Sequence, residues 1–433
     1  MKRRFFTKPV LATILSVMVL TGCFSESGNI PSPNTTDPPR YVKLATVDRN
    51  LADEYIKGIR NVYPNFTVDV LYLRYGELAE MNEQGTFGDW LRRERPDVLF
   101  LPEDQFRGVY ATGHLLALDS LLQSGGLEMD KMHAPVLDRI RNMGDGARLY
   151  GITNSFEGMA IVYNKALLAE AGIPSPNGPL TWQEIWELAG DVAGNGIFGF
   201  DAVSGKNASA DILEWMGREQ GYRLFDEEEG VFRVEWEQWE PLMRQIVGLY
   251  ERNIIYPQLL TDNDLQRNPL YSESRPFMFL GGKAAFAIAV PGVVKQLEVS
   301  GLEWGAIPMP AQSGVFNIPY LFAIVADSQH QDDAWSFIRH IMSPDVIGQI
   351  KLPPGAMPIY PGVPDQSGTV IPDAFYADPI AWQLNQALPD PQVIEYATFR
   401  FRMREELASV LVGHKDLTEA LPYLSTIASG EGG

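Results

Sequence analysis

Short runs of consecutive apolar residues recur along the chain and are separated by stretches with helical periodicity. The clearest runs cover residues 98–101, 285–290 and 321–325. Because they do not alternate with polar residues, they are typical of strands that are covered on both faces, as in parallel sheets. Between them, the segment 181–184 (TWQE) is a capping box that precedes an apolar helical stripe. Alternating strands and helices predict an α/β protein.

The first 40 residues depart from this pattern. A basic start and an apolar stretch at residues 9–20 predict a secretory signal, because the stretch is too short to span a bilayer. Residues 20–23 (LTGC) resemble a bacterial lipobox, which implies a signal peptide at 1–22 and lipid attachment to Cys23, the only cysteine. The Ser- and Pro-rich segment 23–40 predicts a flexible tether. We therefore expect an extracytoplasmic protein that is anchored to the cell membrane by Cys23.

Composition and motifs exclude several functions. The net charge of −20 disfavours nucleic acid as a partner, because phosphate binding needs clustered Lys and Arg. The sequence contains no HExxH, GxSxG or phosphate-binding glycine motif, so no catalytic residue, metal or cofactor is predicted. Residues 222–236 predict a hairpin whose acidic turn at 226–229 is a solvated turn or, less favoured, a calcium site.

Several ordered blocks resemble the family 1 extracellular solute-binding proteins of ABC importers, a maltose-binding-protein-like group. They are residues 150–184 (including EGMAIVYNK, AGIP and TWQE), 279–291 (FLGGKAAFAIAVP), 305–310 (GAIPMP), 334–338 (AWSFI) and 407–421. The resemblance implies a two-lobed periplasmic-binding-protein type II fold, with a hinge and a ligand cleft between the lobes. It also implies a small-molecule solute, with carbohydrate favoured, and an ABC permease as partner.

The resemblance also implies a division of the chain. The N-terminal lobe would comprise residues 41–155 plus about 320–377. The C-terminal lobe would comprise about 160–315 plus about 384–433. Crossings between the lobes would fall near 155–160, near 316–321 and within 377–384.

Two carboxylates match ligand-binding positions of the family. Glu157 lies six residues before Tyr163, where the family has an acidic residue that contacts sugar hydroxyls; a hinge salt bridge is the alternative role. Asp104 matches a second sugar-binding carboxylate, or else caps a helix, and Gln105 replaces the adjacent arginine of the family. Charged acceptors bind hydroxyls more strongly than neutral ones.

The stacking rings of the family are missing at their expected positions. One position falls at Pro291-Gly292, and the other is occupied by Arg400. Arg400 would favour an acidic or strongly polar solute, or else be an exposed helix arginine. The rings predicted near the cleft instead are Phe156, Trp215, Tyr320 and Trp382, whereas Trp182 and Trp186 are predicted to pack in the core.

These features favour a solute-binding protein for a sugar or oligosaccharide. Two alternatives stay open. One is a surface-anchored carbohydrate-active enzyme that uses a distant Glu/Asp pair. The other is a binding protein for a peptide or another non-sugar solute, which the missing rings allow.

Overall fold

The computed structural model describes residues 38–202, 208–226, 231–232, 234–256, 277–313, 317–377, 390–411 and 413–428. Cys23, Trp382 and most of the acidic turn at 226–229 lie outside the described residues. The strands are β1 (Arg40–Thr46), β2 (Phe66–Tyr72), β3 (Val98–Leu101), β4 (Ser155–Glu157), β5 (Ala160–Asn164), β6 (Phe198–Asp201), β7 (Phe225–Asp226), β8 (Val231–Phe232), β9 (Ala284–Ala289), β10 (Trp304–Pro308), β11 (Leu321–Ile324) and β12 (Ala356–Pro358).

Helices alternate with these strands, as the sequence predicts for an α/β protein. They are α1 (Arg49–Val62), α2 (Glu77–Glu83), α3 (Phe87–Glu94), α4 (Glu103–Tyr110), α5 (Asp119–Gln123), α6 (Ala134–Asn142), α7 (Lys165–Glu170), α8 (Trp182–Val192), α9 (Ala208–Glu219), α10 (Trp236–Glu251), α11 (Pro291–Val299), α12 (Gln331–Ile341), α13 (Pro344–Ile347), α14 (Asp390–Leu411) and α15 (Leu417–Ala428). Within the ranges given above, no helix is long and apolar enough to span a membrane.

Two four-stranded sheets organise the molecule. The first has the order β11-β3-β1-β2, in which β1 runs parallel to both β2 and β3, and β11 is antiparallel to β3. The second has the order β10-β5-β9-β6, with β9 parallel to β6 and antiparallel to β5. The apolar runs of the sequence form β3, β9 and β11, and all of their residues are buried. Burial on both faces is confirmed, but β11 is not parallel to its neighbour, because a continuous apolar run reports burial and not strand direction.

The helix start that the capping box predicts is confirmed. The side chain of Thr181 accepts a hydrogen bond from the backbone N–H of Glu184, and the Glu184 carboxylate accepts one from the backbone N–H of Thr181 at 2.8 Å. The predicted hairpin is also present as the antiparallel pair β7–β8. Trp182 and Trp186 are buried, as expected for core residues.

A short connection lies between the two sheets. Strand β4 pairs antiparallel with β12, and Glu157 at the end of β4 also bridges to Asn317. Strand β4 is followed directly by β5 of the second sheet, and Asn317 lies four residues before β11 of the first sheet. Residues 155–157 and 317–320 therefore run beside each other where the chain passes between the sheets. The lobe boundaries themselves stay a prediction.

Candidate functional site

Four polar side chains lie at one edge of the first sheet, and the topology of that sheet explains why they meet there. Because β1, β2 and β3 are parallel, the segments after their carboxyl ends meet at the same edge, and the amino end of antiparallel β11 joins them there. Asp48 follows β1, Tyr75 follows β2, Asp104 follows β3, and Tyr320 immediately precedes β11. We call these four residues the edge cluster.

Asp48 and Tyr320 form one pair of the edge cluster. Asp48 is the N-cap of α1, where its Oδ1 accepts the backbone N–H of Leu51 at 3.0 Å. Its Oδ2 accepts a hydrogen bond from the Tyr320 hydroxyl at 3.0 Å. Burial and the Asp48 carboxylate raise the pKa of the Tyr320 hydroxyl above its usual range. The cap and the tyrosine together hold the Asp48 carboxylate in one orientation.

Asp104 and Tyr75 form the second pair. The Tyr75 hydroxyl donates to Asp104 Oδ2 at 2.8 Å, and this hydrogen bond is the main reason why the pKa of Tyr75 is raised. The side chain of Tyr75 is 69% exposed, so its ring is open to solvent. The cap of α4 is Pro102, which makes no side-chain cap bond, and α4 begins at Glu103. The alternative role of Asp104 as a helix cap is therefore wrong, and its exposed carboxylate is available to a ligand.

Glu157 lies at the connection between the sheets. Its carboxylate Oε2 accepts a hydrogen bond from Asn317 Nδ2 at 3.1 Å, and its backbone N–H donates to the Asn317 carbonyl at 2.8 Å. Burial raises the pKa of Glu157, and the Asn317 amide partly opposes that effect. No cation pairs with Glu157 in the part of the chain that the structure describes. The alternative of a hinge salt bridge is thus replaced by a neutral amide contact, which leaves Glu157 with accepting capacity.

Phe156 and Gln105 face inward, contrary to the sequence expectation. Phe156 is 1% exposed and stacks on His133 with ring centroids 5.0 Å apart. Successive side chains of a strand point to opposite faces, so Glu157 and Phe156 cannot both face a ligand. Gln105 is 4% exposed, about 100° around α4 from Asp104, and its amide has no hydrogen-bond partner in the structure as described.

Trp215 and Arg400 also have other roles in the structure. Trp215 is 5% exposed and lies parallel to Trp182 at 6.2 Å, which makes it a core ring and not a ligand platform. Arg400 binds Asp211 Oδ1 at 3.0 Å and Glu214 Oε2 at 2.9 Å, so its charge is already compensated. The expectation that Arg400 attracts an acidic or strongly polar solute is not supported by this arrangement. Trp382 cannot be placed, since it lies outside the described residues.

Two members of the edge cluster were missed at the level of sequence. Asp48 and Tyr75 carry no motif, but each follows the carboxyl end of a strand in the first sheet. The signal was available in principle, because polar residues that follow successive parallel strands converge at one edge. It was hidden because neither β1 (RYVKLAT) nor β2 (FTVDVLY) is a continuous apolar run.

The edge cluster presents hydrogen-bond acceptors to solvent. Each carboxylate has two oxygens and about four lone-pair directions, of which the contacts above use only part. Such a surface suits a ligand with many hydroxyl donors and repels an anion. Clusters of three or more His, Cys, Asp or Glu side chains that could hold a metal are absent from the residues described here.

Comparison with known proteins identifies the class. The sequence profile of the bacterial extracellular solute-binding proteins matches residues 48–347, and the chain belongs to this family. A search of curated proteins finds no match. The fold is the two-lobed α/β fold of the periplasmic solute-binding proteins, as three solved structures show.

These three structures cover nearly the whole chain at low sequence identity. A family 1 extracellular solute-binding protein from Alicyclobacillus acidocaldarius has a TM-score of 0.65 at 15% identity, covering 92% of this chain and 100% of its own. The sugar-binding protein MalE from Xanthomonas citri has a TM-score of 0.60 at 19% identity, with coverages of 90% and 98%. A solute-binding protein from Agrobacterium vitis with bound D-mannitol has a TM-score of 0.54 at 18% identity, with coverages of 90% and 98%.

Proposed function

We propose that this chain is the substrate-binding lipoprotein of an ABC importer and captures a sugar or oligosaccharide outside the cell. The observation that carries the proposal is the edge cluster, in which two carboxylates are held by tyrosine hydroxyls at one edge of the first sheet. Hydroxyl groups of a solute can donate to these acceptors, and the exposed ring of Tyr75 offers an apolar face for a sugar ring.

Glu157 would complete this site from the connection between the sheets. It belongs to a strand that leads into the second sheet, whereas its partner Asn317 leads into the first. A hinge at this connection would let the two lobes close over a solute, so that residues of both lobes contact it. The closed form would then be the one that the permease recognises.

A ligand panel tests the proposal. Purified protein would be titrated with neutral oligosaccharides, uronates and short peptides while its melting temperature is recorded, because a ligand bound only by the folded form raises that temperature. We expect a neutral, hydroxyl-rich ligand to give the largest rise. A rise with peptides or uronates alone would contradict the proposal, and hydrolysis of the oligosaccharides during the assay would favour the carbohydrate-active enzyme.

Asp104 offers the sharpest variant for this test. Replacing Asp104 with alanine removes a carboxylate that accepts hydroxyl hydrogen bonds, which should weaken sugar binding by about 1.5–3 kcal/mol, or roughly ten- to a hundredfold. Asp89→Ala is the matched control, since Asp89 is exposed and pairs with Arg92 on its own helix, α3. Equal affinities of the two variants by titration calorimetry would remove Asp104 from the site.

The lipid anchor is tested separately. We propose that Cys23 carries it, on the strength of the lipobox-like sequence before it. Cells fed a radiolabelled fatty acid should incorporate label into the protein, and Cys23→Ser should abolish that incorporation. Label retained in the Cys23→Ser protein would contradict the anchor without affecting the solute-binding proposal.

A further inference from the structure

The three carboxylates of the proposed sugar site have neutral partners. The side chains of Asp48, Asp104 and Glu157 accept hydrogen bonds from tyrosine hydroxyls, an asparagine amide and a backbone N–H group. None of the three forms an ion pair with a lysine or arginine in the part of the chain that the structure describes. Unpaired acidic side chains are common in a protein with a net charge of −20. These three differ from the others because they lie where closure of the lobes would cover them.

The arginines nearest to the edge cluster in the sequence make their contacts elsewhere. The guanidinium of Arg49, which follows Asp48, lies over the ring of Tyr72 at 3.7 Å from its centroid. The other two arginines pair with glutamates: Arg74 with Glu80 at 3.1 Å, and Arg107 with Glu103 at 2.9 Å. The proposed site is therefore a region of one sign of charge.

The tyrosines of the edge cluster are subject to this negative charge. Burial raises the pKa of Tyr320 most, and Asp48, Tyr75 and Tyr55 raise it further. The pKa of Tyr75 is raised first by its hydrogen bond to Asp104 and then by burial. Neither shift is opposed by a cation of the described residues. The effect of Tyr75 on Tyr320 also indicates that the two pairs of the edge cluster lie close together.

Closure over a neutral solute would be costly at such a site. It would remove Asp48, Asp104 and Glu157 from water with no positive charge beside them, and burial of a charge is costly unless the charge is paired. Hydroxyl groups of the solute would satisfy the hydrogen bonds of these carboxylates but would not balance their charge. A solute that carries its own positive charge would do both. The ring of Tyr75, which is 69% exposed, offers an additional face to an ammonium group.

We propose that the solute is an amino sugar, that is, a hydroxyl-rich sugar with a free ammonium group. This inference rests on the proposed function, because it requires both the sugar site and its closure. The ammonium group would bind Asp104 beside the ring of Tyr75, and hydroxyl groups would donate to Asp48 and Glu157. A neutral sugar would bind the same acceptors more weakly, and a linear diamine would lack the hydroxyl donors.

Matched pairs of sugars test this inference on the purified protein. The pairs are glucosamine with glucose, and the β1,4-linked glucosamine disaccharide with cellobiose, which differ by ammonium groups in place of hydroxyl groups. In titration calorimetry at about pH 6, each amino sugar should bind at least about tenfold more tightly than its neutral counterpart, because hydrogen bonds between charged groups are stronger. Added sodium chloride should reduce this preference, since salt screens the attraction between the charges.

Asp104→Asn removes the charge of the side chain and keeps its shape. It should lower the ratio of the affinities for glucosamine and glucose at least about threefold, because one of the attracting charges is lost. Asp89→Asn is the matched control and should leave the ratio unchanged, since Asp89 is an exposed aspartate on α3.

Three results would overturn the inference. They are an absence of tighter binding by the amino sugar in both pairs, a full preference retained in Asp104→Asn, and binding of 1,5-diaminopentane as tight as that of the amino sugars. Binding of glucose or cellobiose without any preference for the amino sugar would leave the proposed function standing. Binding of peptides alone from the ligand panel would contradict the proposed function as well.

Discussion

Among the individual residues, the buried carboxylate of Glu103 connects several elements of the fold. Glu103 is 6% exposed and receives three donors: Arg139 at 2.7 Å, Arg107 at 2.9 Å and the backbone N–H of Ile318 at 3.3 Å. It thereby joins α4, α6 and the segment that leads into β11. Since Glu103 directly precedes Asp104, this network fixes the start of the helix that carries the proposed ligand carboxylate.

Replacing Glu103 with alanine should therefore destabilise the fold. It leaves Arg139, whose side chain is 8% exposed, without its carboxylate, and breaking a buried pair in this way costs about 3–5 kcal/mol. Glu240→Ala is the matched control, because Glu240 pairs with Arg244 on an exposed helix face and should change stability by less than about 0.5 kcal/mol. Urea unfolding measures both. A cost for Glu103→Ala as small as that of Glu240→Ala would show that the network carries no stability.

Asp201 should make stability depend on pH. Burial raises its pKa to about 6, although the backbone N–H groups of Phe279 and Met278 partly oppose that shift. The folded state thus binds this proton more tightly than the unfolded chain, so the stabilisation is complete at acid pH and is lost as the pH rises through 6. Asp201→Asn removes the titration, so the fall in unfolding free energy from pH 5 to pH 8 should shrink by roughly 1.4 kcal/mol. An unchanged pH profile in the variant would contradict this assignment.

Among the elements, α8 and α9 are joined by a stack of tryptophans. Trp182 lies 5.2 Å from Trp186 on its own helix and 6.2 Å from Trp215 on α9. The Trp182 indole N–H also donates to the Ser313 hydroxyl at 2.8 Å, which satisfies the buried polar atom. The stack therefore belongs to the core beside the second sheet, and no ring in it is open to a ligand.

Trp215→Ala distinguishes a core role from a ligand role. It opens a cavity beside Trp182 and should lower the unfolding free energy by about 3–5 kcal/mol. Trp215→Phe is the milder partner variant, which should retain the fold and bind sugar with unchanged affinity. Loss of affinity in a stable Trp215→Phe protein would restore the ring to the binding site and contradict its assignment to the core.

The sequence predicted elements better than it predicted which side chains share a face. The capping box at Thr181 located the start of α8, because that signal is local. The buried strands were also found, since a continuous apolar run needs cover on both faces. Phe156 and Trp215 were wrongly predicted to lie near the cleft, because the sequence alone does not distinguish an aromatic ring in the core from one in a ligand site. Asp48 and Tyr75 were missed because their proximity to Tyr320 and Asp104 exists only once the strands are paired.

At the scale of the whole molecule, the proposed binding groups lie on both sides of the short connection between the two sheets. Three short segments meet there: β4, β12 and the residues around Asn317. The edge cluster belongs to the first sheet, whereas Glu157 leads directly into the second. A solute that contacts both would stabilise a closed arrangement by its differential affinity for that state.

Closure should therefore be visible in solution and should depend on the edge cluster. The radius of gyration from X-ray scattering should fall when the sugar found in the ligand panel is added. In Asp104→Ala, the sugar concentration that gives half of that fall should rise at least about tenfold, because the lost hydrogen bonds contribute to binding in the closed state. Asp89→Ala should behave like the unmodified protein. If the sugar binds and the radius of gyration does not fall, the carboxylates at this edge bind the solute without closure of the second lobe. The hinge at Glu157 and Asn317 would then have no part in capture.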